Sequence, residues 1–293
     1  MMKMLICGGL LIDRYVTVDR FPARGGDGYI TDSFDVVGGC ALNMAKAARS
    51  LGAEPHIASF LGNDAWSIMI SDFMEKERLP MDCIGQMRGS TGHCVVFLEP
   101  DGERTFLTRK GCEAEYDDSL IPGLPYGGYS VCAVTGYYLL DGTSGKLVDR
   151  LRELKDGGCP IVFDPGPLVD KIDESLVRRI LGLCYVVTPN VAEAEALAGI
   201  QGEAGAEAWA KSLSGKGCAV IITKGGDGGD LYQNGVKTAY AAEKTDIVDT
   251  TGAGDGFTGA IAHALGTGMP LEKGVKLAAR TAGLVASVRG PHL

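Results

Sequence analysis

The residues in this chain best suited to chemistry lie in a short run near its carboxyl end, Asp249-Thr250-Thr251-Gly252-Ala253-Gly254-Asp255. Three small residues directly before a helical pattern allow several backbone N–H groups to converge at a helix N-terminus, where they can bind an oxyanion. Asp255 falls where that helix begins, so its carboxylate can either cap the helix or stand beside the bound anion as a general base. The residues alone leave both alternatives open.

Two better-known phosphate-binding motifs are excluded. The chain contains no G-x-x-x-x-G-K-[ST] sequence, and the first predicted strand ends in Gly8-Gly9 without a helix that could receive a pyrophosphate. The candidate anion hole therefore works without a P-loop lysine.

Composition limits the class of protein and its partners. With 45% hydrophobic and 22% charged residues among 293, the chain is a folded globular protein, and 43 glycines without a G-x-y period belong in turns and close-approach loops. The formal net charge of −9 disfavours a nucleic acid or an anionic membrane surface as partner. A small anion held by backbone N–H groups is still compatible with that charge.

Nine cysteines never lie closer than eleven positions, which excludes a C-x-x-C zinc ribbon and favours reduced thiols over a disulfide framework. The apolar stretch 4–12 is too short for a secretory signal, and no apolar run is long enough to span a membrane. We therefore expect a cytoplasmic protein.

Strands alternate with helices along most of the chain. Apolar runs predict strands at Met4–Leu10, Val131–Val134, Pro160–Phe163, Cys184–Val187 and Ala219–Thr223. Helical patterns lie at Ala41–Leu51, Trp66–Arg78, Gly145–Lys155, Glu174–Leu181, Val191–Ala198, Ala206–Leu213, Phe257–Leu265 and Leu271–Val288. This alternation predicts an α/β fold with a mostly parallel sheet and helices on both faces.

Two pairs of short strand-like segments interrupt the alternation: Asp13–Phe21 with Tyr29–Val36, and Gly92–Glu99 with Glu103–Thr108. Turn residues join each pair, with Pro100-Asp101-Gly102 closing the second. We expect a small antiparallel sheet that serves either as a lid over the carboxyl ends of the parallel strands or as a cap on a sheet edge.

Two separate signatures resemble those of the PfkB, or ribokinase-like, carbohydrate kinases. Asp249–Phe257 matches the family's D-T-x-G-A-G-D element, and the run from Gly38 to Ala45, followed by Gly52 and Gly62, has the spacing of its N-terminal signature. The likeness extends to Thr188-Pro189-Asn190-x-x-Glu193, to Thr223–Gly228 and to Asp101–Arg104, so it spans nearly the whole chain.

The resemblance implies a fold and a set of roles. The fold would be a ribokinase-like three-layer sandwich in a single domain, 1–293, with lid segments at about 13–36 and 92–108. In such kinases the residue matching Asp255 takes a proton from the substrate hydroxyl, while the backbone at Gly252, Ala253 and Gly254 holds the transferring phosphoryl group. This suits phosphoryl transfer, which needs alignment and charge stabilisation.

The remaining roles are also implied by the resemblance. Nucleotide binding is assigned to Asn190, Thr223, Gly225 and Gly228. Substrate binding is assigned to Asp13, Gly38, Gly39, Asn43 and Arg104. Glu193 would act on Mg²⁺ through water, and Asp249 with Thr251 would help to build a K⁺ site. Without the resemblance, Asn190 is interpreted as a helix cap and Glu193 as an exposed acid in the first turn of that helix.

The predicted function is an ATP-dependent sugar kinase that requires Mg²⁺ and phosphorylates a primary or anomeric-adjacent hydroxyl of a furanose-like sugar. Ribokinases usually have lysine where this chain has Cys40. A nucleoside kinase of the same superfamily is the alternative, because a nucleoside presents the same ribose hydroxyls. A catalytically silent sugar-binding regulator is an alternative from another class.

Relatives often join their lids, and we therefore expect a homodimer.

Overall fold

A computed structural model describes residues 1–99, 104–121, 128–140, 142–288 and 290. Within these ranges the strands are β1 (Met2–Cys7), β2 (Leu11–Val18), β3 (Ile30–Gly38), β4 (Ala53–Leu61), β5 (Ile84–Gln86), β6 (His93–Leu98), β7 (Arg104–Arg109), β8 (Val131–Thr135), β9 (Ile161–Asp164), β10 (Val186–Val187), β11 (Ala219–Thr223), β12 (Gly229–Gln233) and β13 (Val236–Tyr240). The α-helices are α1 (Cys40–Ser50), α2 (Ala65–Lys76), α3 (Ser144–Asp156), α4 (Glu174–Leu181), α5 (Val191–Ala198), α6 (Glu203–Ser214), α7 (Ala253–Gly266) and α8 (Leu271–Ala286).

Nine strands form one large sheet in the order β13-β12-β11-β10-β9-β8-β1-β4-β5. In this spatial order, the seven strands from β11 through β5 are parallel to one another, and β12 and β13 add an antiparallel hairpin at one edge. Central strands read as continuous apolar runs because both of their faces are covered, and Met4–Cys7 is fully buried.

Helices cover both faces of this sheet, as predicted. One hydrophobic cluster joins it to α3, α4, α5 and α6, and a second joins its other face to α1, α2, α7 and α8. The predicted three-layer sandwich is confirmed. No helix in the described ranges combines the length and apolar character needed to cross a bilayer.

The second sheet has four strands in the order β3-β2-β6-β7. The two predicted hairpins are present, but the strands that join them, β2 and β6, run parallel, so the expectation of a wholly antiparallel sheet was wrong. Since β2 follows β1 and β6 follows β5, both leave the same end of the large parallel sheet and enter the small one in the same direction. The turn at 100–103 lies outside the described residues.

Four strands were not predicted: β4, β5, β12 and β13. The β12–β13 hairpin turns at Asn234 and Gly235, both with positive φ (53° and 78°). An Asn-Gly pair between short strands is a strong hairpin signal, so this element was available from the sequence. The strand β4 is harder to recognise, because Pro55 and His56 interrupt its apolar run.

Candidate active site

One cavity, of about 230 Å³, opens where the parallel strands end. Thr135, Asp164 and Thr223 are the last residues of β8, β9 and β11, and the start of α7 forms the opposite wall. The lining residues are Cys40, Thr135, Tyr137, Asp164, Gly166, Pro167, Thr188, Asn190, Glu193, Thr223, Gly252, Gly254 and Asp255. The cavity therefore lies at the end of the sheet where ligands of open α/β folds bind.

The glycine-rich turn before α7 has the geometry of an anion site. Gly252 precedes the helix with a φ of 76°, in the left-handed region that glycine adopts readily, and makes no side-chain cap. The first N–H groups of a helix have no intrahelical acceptor. Apart from Gly254 itself, its two chain neighbours and the nearby backbone of its own helix, no heavy atom of the described residues lies within 4 Å of the position that a Cβ on Gly254 would take. The backbone at Gly254 is thus open to an oxyanion, and the half-buried Gly252 and Ala253 lie directly before it.

Asp255 does not cap this helix. It is the third residue of α7, and its carboxylate instead accepts a hydrogen bond from Asn43 Nδ2 at 2.8 Å. Burial raises the pKa of Asp255 to about 6; hydrogen bonds from Asn43 and Cys40 oppose the rise, and the charge of Glu193 adds to it. A pKa near neutrality is suited to a general base.

Asp13 lies near Asp255, on β2 of the small sheet. Burial, together with the charge of Asp255, raises the pKa of Asp13 to about 7. A Cβ on Gly38 would fall 2.0 Å from Asp13 Oδ2, and one on Gly39 (φ 104°) would fall 2.4 Å from the Gly9 carbonyl oxygen. Both glycines are therefore required where β3 and α1 meet the body of the protein.

Asn43 leaves one polar atom without a partner. The residue is 6% exposed, and while its amide nitrogen donates to Asp255, its Oδ1 has no hydrogen-bond partner among the described residues. A buried acceptor without a partner is costly and is typical of a ligand site. Asn43 therefore offers an acceptor next to the carboxylate of Asp255.

Asn190 and Glu193 form a reciprocal capping box at the start of α5. Glu193 Oε2 accepts from Asn190 N at 2.9 Å, and Asn190 Oδ1 accepts from Glu193 N at 2.9 Å. The cap is therefore present, but Glu193 is only 8% exposed, so its interpretation as an exposed acid was wrong. The cavity wall covers the side chain, and this burial raises the pKa of Glu193 while the bond from Asn190 lowers it.

Sequence reasoning missed Asp164, which ends β9 inside the cavity. Its carboxylate accepts from Thr258 Oγ1 at 2.9 Å and from Gly166 N at 3.1 Å. Burial first, then the charges of Asp255 and Glu193, raise the pKa of Asp164 well above its ordinary value. A polar residue that ends a buried strand just before Pro165 was the signal available in the sequence.

The acids of this cavity fit a divalent cation. Asp164, Glu193 and Asp255 line it together, and no lysine or arginine is among its lining residues in the described part of the chain. Buried carboxylates that raise one another's pKa need a positive charge to ionise together. Oxygen donors of this kind are the ligands that Mg²⁺ prefers, and it retains several waters when bound.

The other predicted residues lie around this centre. Thr223 lines the cavity and forms a backbone bridge with Asn190. Gly225 and Gly228 have positive φ in the turn after β11, where a Cβ on Gly228 would fall 2.1 Å from the Tyr240 carbonyl oxygen.

Two further predicted elements lie nearby. The buried Asp249 carboxylate accepts from Thr251 N at 2.9 Å, which orders the loop before Gly252. Arg104 opens β7, but its side chain lies outside the described part of the structure, as do Asp101, Gly102 and Glu103.

Residues 2–293 of this chain match the family model of the pfkB family carbohydrate kinases. The sugar kinase YegV of Escherichia coli is 33% identical over 294 residues, which cover 98% of this chain and 89% of that protein. Ribokinase of Arabidopsis thaliana is 26% identical over 306 residues, which cover 98% of this chain and 76% of that protein.

Solved structures share the fold. Arabidopsis thaliana ribokinase complexed with ribose and ATP has a TM-score of 0.83 at 23% identity, covering 99% of this chain and 93% of that one. Burkholderia thailandensis nucleoside kinase in complex with inosine has a TM-score of 0.80 at 21% identity, covering 98% and 92%. The predicted ribokinase-like fold and the predicted carbohydrate kinase are confirmed. A family match over nearly the whole length, together with the carboxylate and glycine-rich turn found at the sheet's carboxyl end, shows that the chain belongs to the PfkB family of carbohydrate kinases.

Proposed function

We propose that Asp255 is the base that accepts the proton of a neutral sugar's hydroxyl while that hydroxyl attacks the γ-phosphorus of ATP. The observation that carries this is the position of its carboxylate: half-buried, bonded to Asn43, and one residue after the open backbone of Gly254. The hydroxyl oxygen forms the new bond to phosphorus, and the bond to the ADP oxygen breaks. The proton goes to Asp255.

Two side chains would bind the sugar. The Asp13 carboxylate and the unpartnered Oδ1 of Asn43 are both acceptors, so they suit a pair of sugar hydroxyls. The bond from Asn43 Nδ2 fixes Asp255 at the same time. One amide thus aligns the substrate and the base, which is the positioning that phosphoryl transfer needs.

The N–H groups at the start of α7 would hold the transferring phosphoryl group. They supply fixed dipoles without a lysine. Mg²⁺ held by Glu193 and Asp164 through water would neutralise phosphate charge when bound. We assign nucleotide contacts to Asn190, Thr223 and the turn at Gly225–Gly228, and a K⁺ site to the Asp249–Thr251 loop.

The charge of the cavity selects the class of sugar. Three carboxylates line it, and no basic side chain does so among the described residues. In the proposed sugar site, an acceptor that carries a phosphate or a carboxylate would be repelled by Asp13 and Asp255, and the Mg²⁺ proposed above would be engaged by the ATP phosphates. A neutral polyol avoids this cost, so we propose a neutral sugar as the acceptor.

We further propose that the small sheet closes over the sugar and joins two subunits into a homodimer. Ile30 on β3 and Phe106 and Leu107 on β7 are exposed on the two outer strands of this sheet. Exposed edges with apolar side chains favour pairing with another chain.

All nine cysteines are free thiols, as suits a reducing cytoplasm.

The decisive experiment is an ADP-release assay with a panel of neutral sugars, sugar acids, sugar phosphates and nucleosides. We expect turnover with one or more neutral sugars and its loss in Asp255→Asn. Turnover with nucleosides alone would contradict the sugar as the phosphate acceptor and assign a nucleoside in its place. Absence of turnover across the panel, with sugar still bound, would favour a silent regulator. Light scattering tests the homodimer separately, since a monomeric mass with full activity contradicts it alone.

A further inference from the structure

A second group of chemically active side chains lies on the other half of the sheet, at its edge. His56 is the fourth residue of β4, and Asp82 and Cys83 directly precede β5. Parallel pairing of Ser59 with Ile84 brings the two segments together. The carboxyl end of β4 lies five residues after His56, roughly 16 Å at about 3.3 Å per residue. This group is therefore separate from the kinase cavity.

The donor atoms of these three side chains converge. One nitrogen of His56, a carboxylate oxygen of Asp82 and the sulfur of Cys83 all lie within 4.8 Å of one another. In a tetrahedral zinc site with bonds of about 2.0 to 2.3 Å, neighbouring donor atoms are roughly 3.3 to 3.8 Å apart. The Asp82 side chain is 54% exposed, so it can adjust to this spacing by a change of rotamer.

The surroundings of His56 call for a cation. Its Nδ1 is 2.7 Å from Asp82 Oδ1, and its Nε2 is 3.1 Å from Glu54 Oε1. A neutral imidazole has one N–H donor and one acceptor nitrogen, so one of these contacts sets two lone pairs against each other. Either a second proton or a metal ion between His56 and Asp82 removes that conflict.

The buried thiol favours the metal over the proton. Cys83 is 1% exposed, and its sulfur is 3.2 Å from the Tyr129 hydroxyl. This sulfur lies within 4.8 Å of the donor atoms of His56 and Asp82, and thiolate, imidazole and carboxylate together suit Zn²⁺. Glu54, at the far ring nitrogen, has the position of the carboxylate that orients a metal-binding histidine.

We propose that His56 Nδ1, Asp82 and Cys83 form a Zn²⁺ site, with Glu54 as its positioning residue and one coordination position left to water. On binding, the thiol releases its proton to solvent, and the sulfur, the nitrogen and the carboxylate oxygen each donate an electron pair to the metal. Because β5 has only three residues and lies at the edge of the sheet, such an ion would fasten it to β4.

The test uses the full chain, stripped by a chelator and titrated with Co²⁺ alone. We expect one equivalent of Co²⁺ to give a thiolate-to-cobalt charge-transfer band, which Zn²⁺ then removes. Cys83→Ser should abolish the band. Cys40→Ser is the matched control, because Cys40 lies beside the carboxylates of the kinase cavity, and it should leave the band intact.

Two further variants keep the test independent of folding. Asp82→Asn changes a largely exposed side chain and should weaken Co²⁺ binding, and Glu54→Gln should weaken it roughly 10- to 100-fold. Absence of the charge-transfer band in the native chain would overturn the proposal. So would a band that persists in Cys83→Ser or disappears in Cys40→Ser. None of these results depends on kinase activity.

Discussion

The two ends of the parallel sheet differ in what their cavities contain. At the carboxyl end, a space of about 230 Å³ is lined by three carboxylates, small residues and a helix N-terminus. At the amino end, a wider space of about 860 Å³ is lined by leucines, by Cys159, Cys184 and Cys218, and by three basic residues. The larger cavity thus has fewer groups suited to catalysis than the smaller one.

The contrast lies in whether the polar groups are satisfied. At the amino end, Lys155 Nζ donates to the Gly182 carbonyl at 2.9 Å and Cys184 Sγ to the Ile180 carbonyl at 3.0 Å. At the carboxyl end, Asn43 Oδ1 and Thr135 Oγ1 are buried without a partner among the described residues. At these two cavities, unmatched buried polar groups rather than volume distinguish the candidate active site.

The largest effect that this comparison predicts is at Asp255. Asp255→Asn removes the proton acceptor but keeps the shape of the side chain, so kcat should fall roughly 10²- to 10⁴-fold. Steady-state kinetics would measure this, and calorimetry should find nucleotide affinity unchanged. Retained turnover would leave the carboxylate without a catalytic role.

Gly254→Val should have the next largest effect. The new side chain would occupy the open space where phosphate oxygens approach the N-terminus of α7. Loss of one preorganised donor costs roughly 10²- to 10³-fold in kcat. Gly182→Ala, at the amino end, is the matched control and should be nearly silent in the same assay.

Activity and stability should depend on pH in opposite directions. Both carboxylates must be ionised to act as proposed, and their pKa values are about 6 for Asp255 and about 7 for Asp13, so kcat/KM should fall about tenfold per pH unit between 7 and 6 and about a hundredfold per unit below 6. Both pKa values exceed 3.8, so the folded metal-free protein binds these protons more tightly than the unfolded chain. Their contribution to stability is full below pH 3.8 and is lost as pH rises through 6 to 7.

Melting temperatures of the metal-free protein measure the second trend. They should fall between pH 5 and 8, and the fall should be smaller in the Asp13→Asn, Asp255→Asn double variant. An equal fall in both proteins would show that other groups carry the effect.

The smallest effect is expected at the amino end. Lys155→Ala removes an exposed ammonium group, so kcat/KM should change less than about twofold and stability by about 0.5 kcal/mol at most. A tenfold loss of activity in kinetic assays would break the comparison, because it would make the larger cavity a functional site.

The sequence predicted the chemistry of the anion site better than its surroundings. Small residues before a helix are a local signal, and so α7 and its turn were recognised. The burial of Glu193 and the direct bond between Asn43 and Asp255 depend on contacts between distant segments, which local spacing does not encode. Asp164 was missed although its place at a strand end was a usable signal.

The hydrogen bond between Asn43 and Asp255 joins residues 212 positions apart. During synthesis from the amino terminus, Asn43, proposed to bind the sugar, emerges 212 residues before the proposed base. Closing so long a loop is entropically costly, and folds rich in such contacts form slowly. We therefore expect kinase activity to return later than helical structure when the unfolded chain refolds, because the active site is complete only when α7 docks against α1.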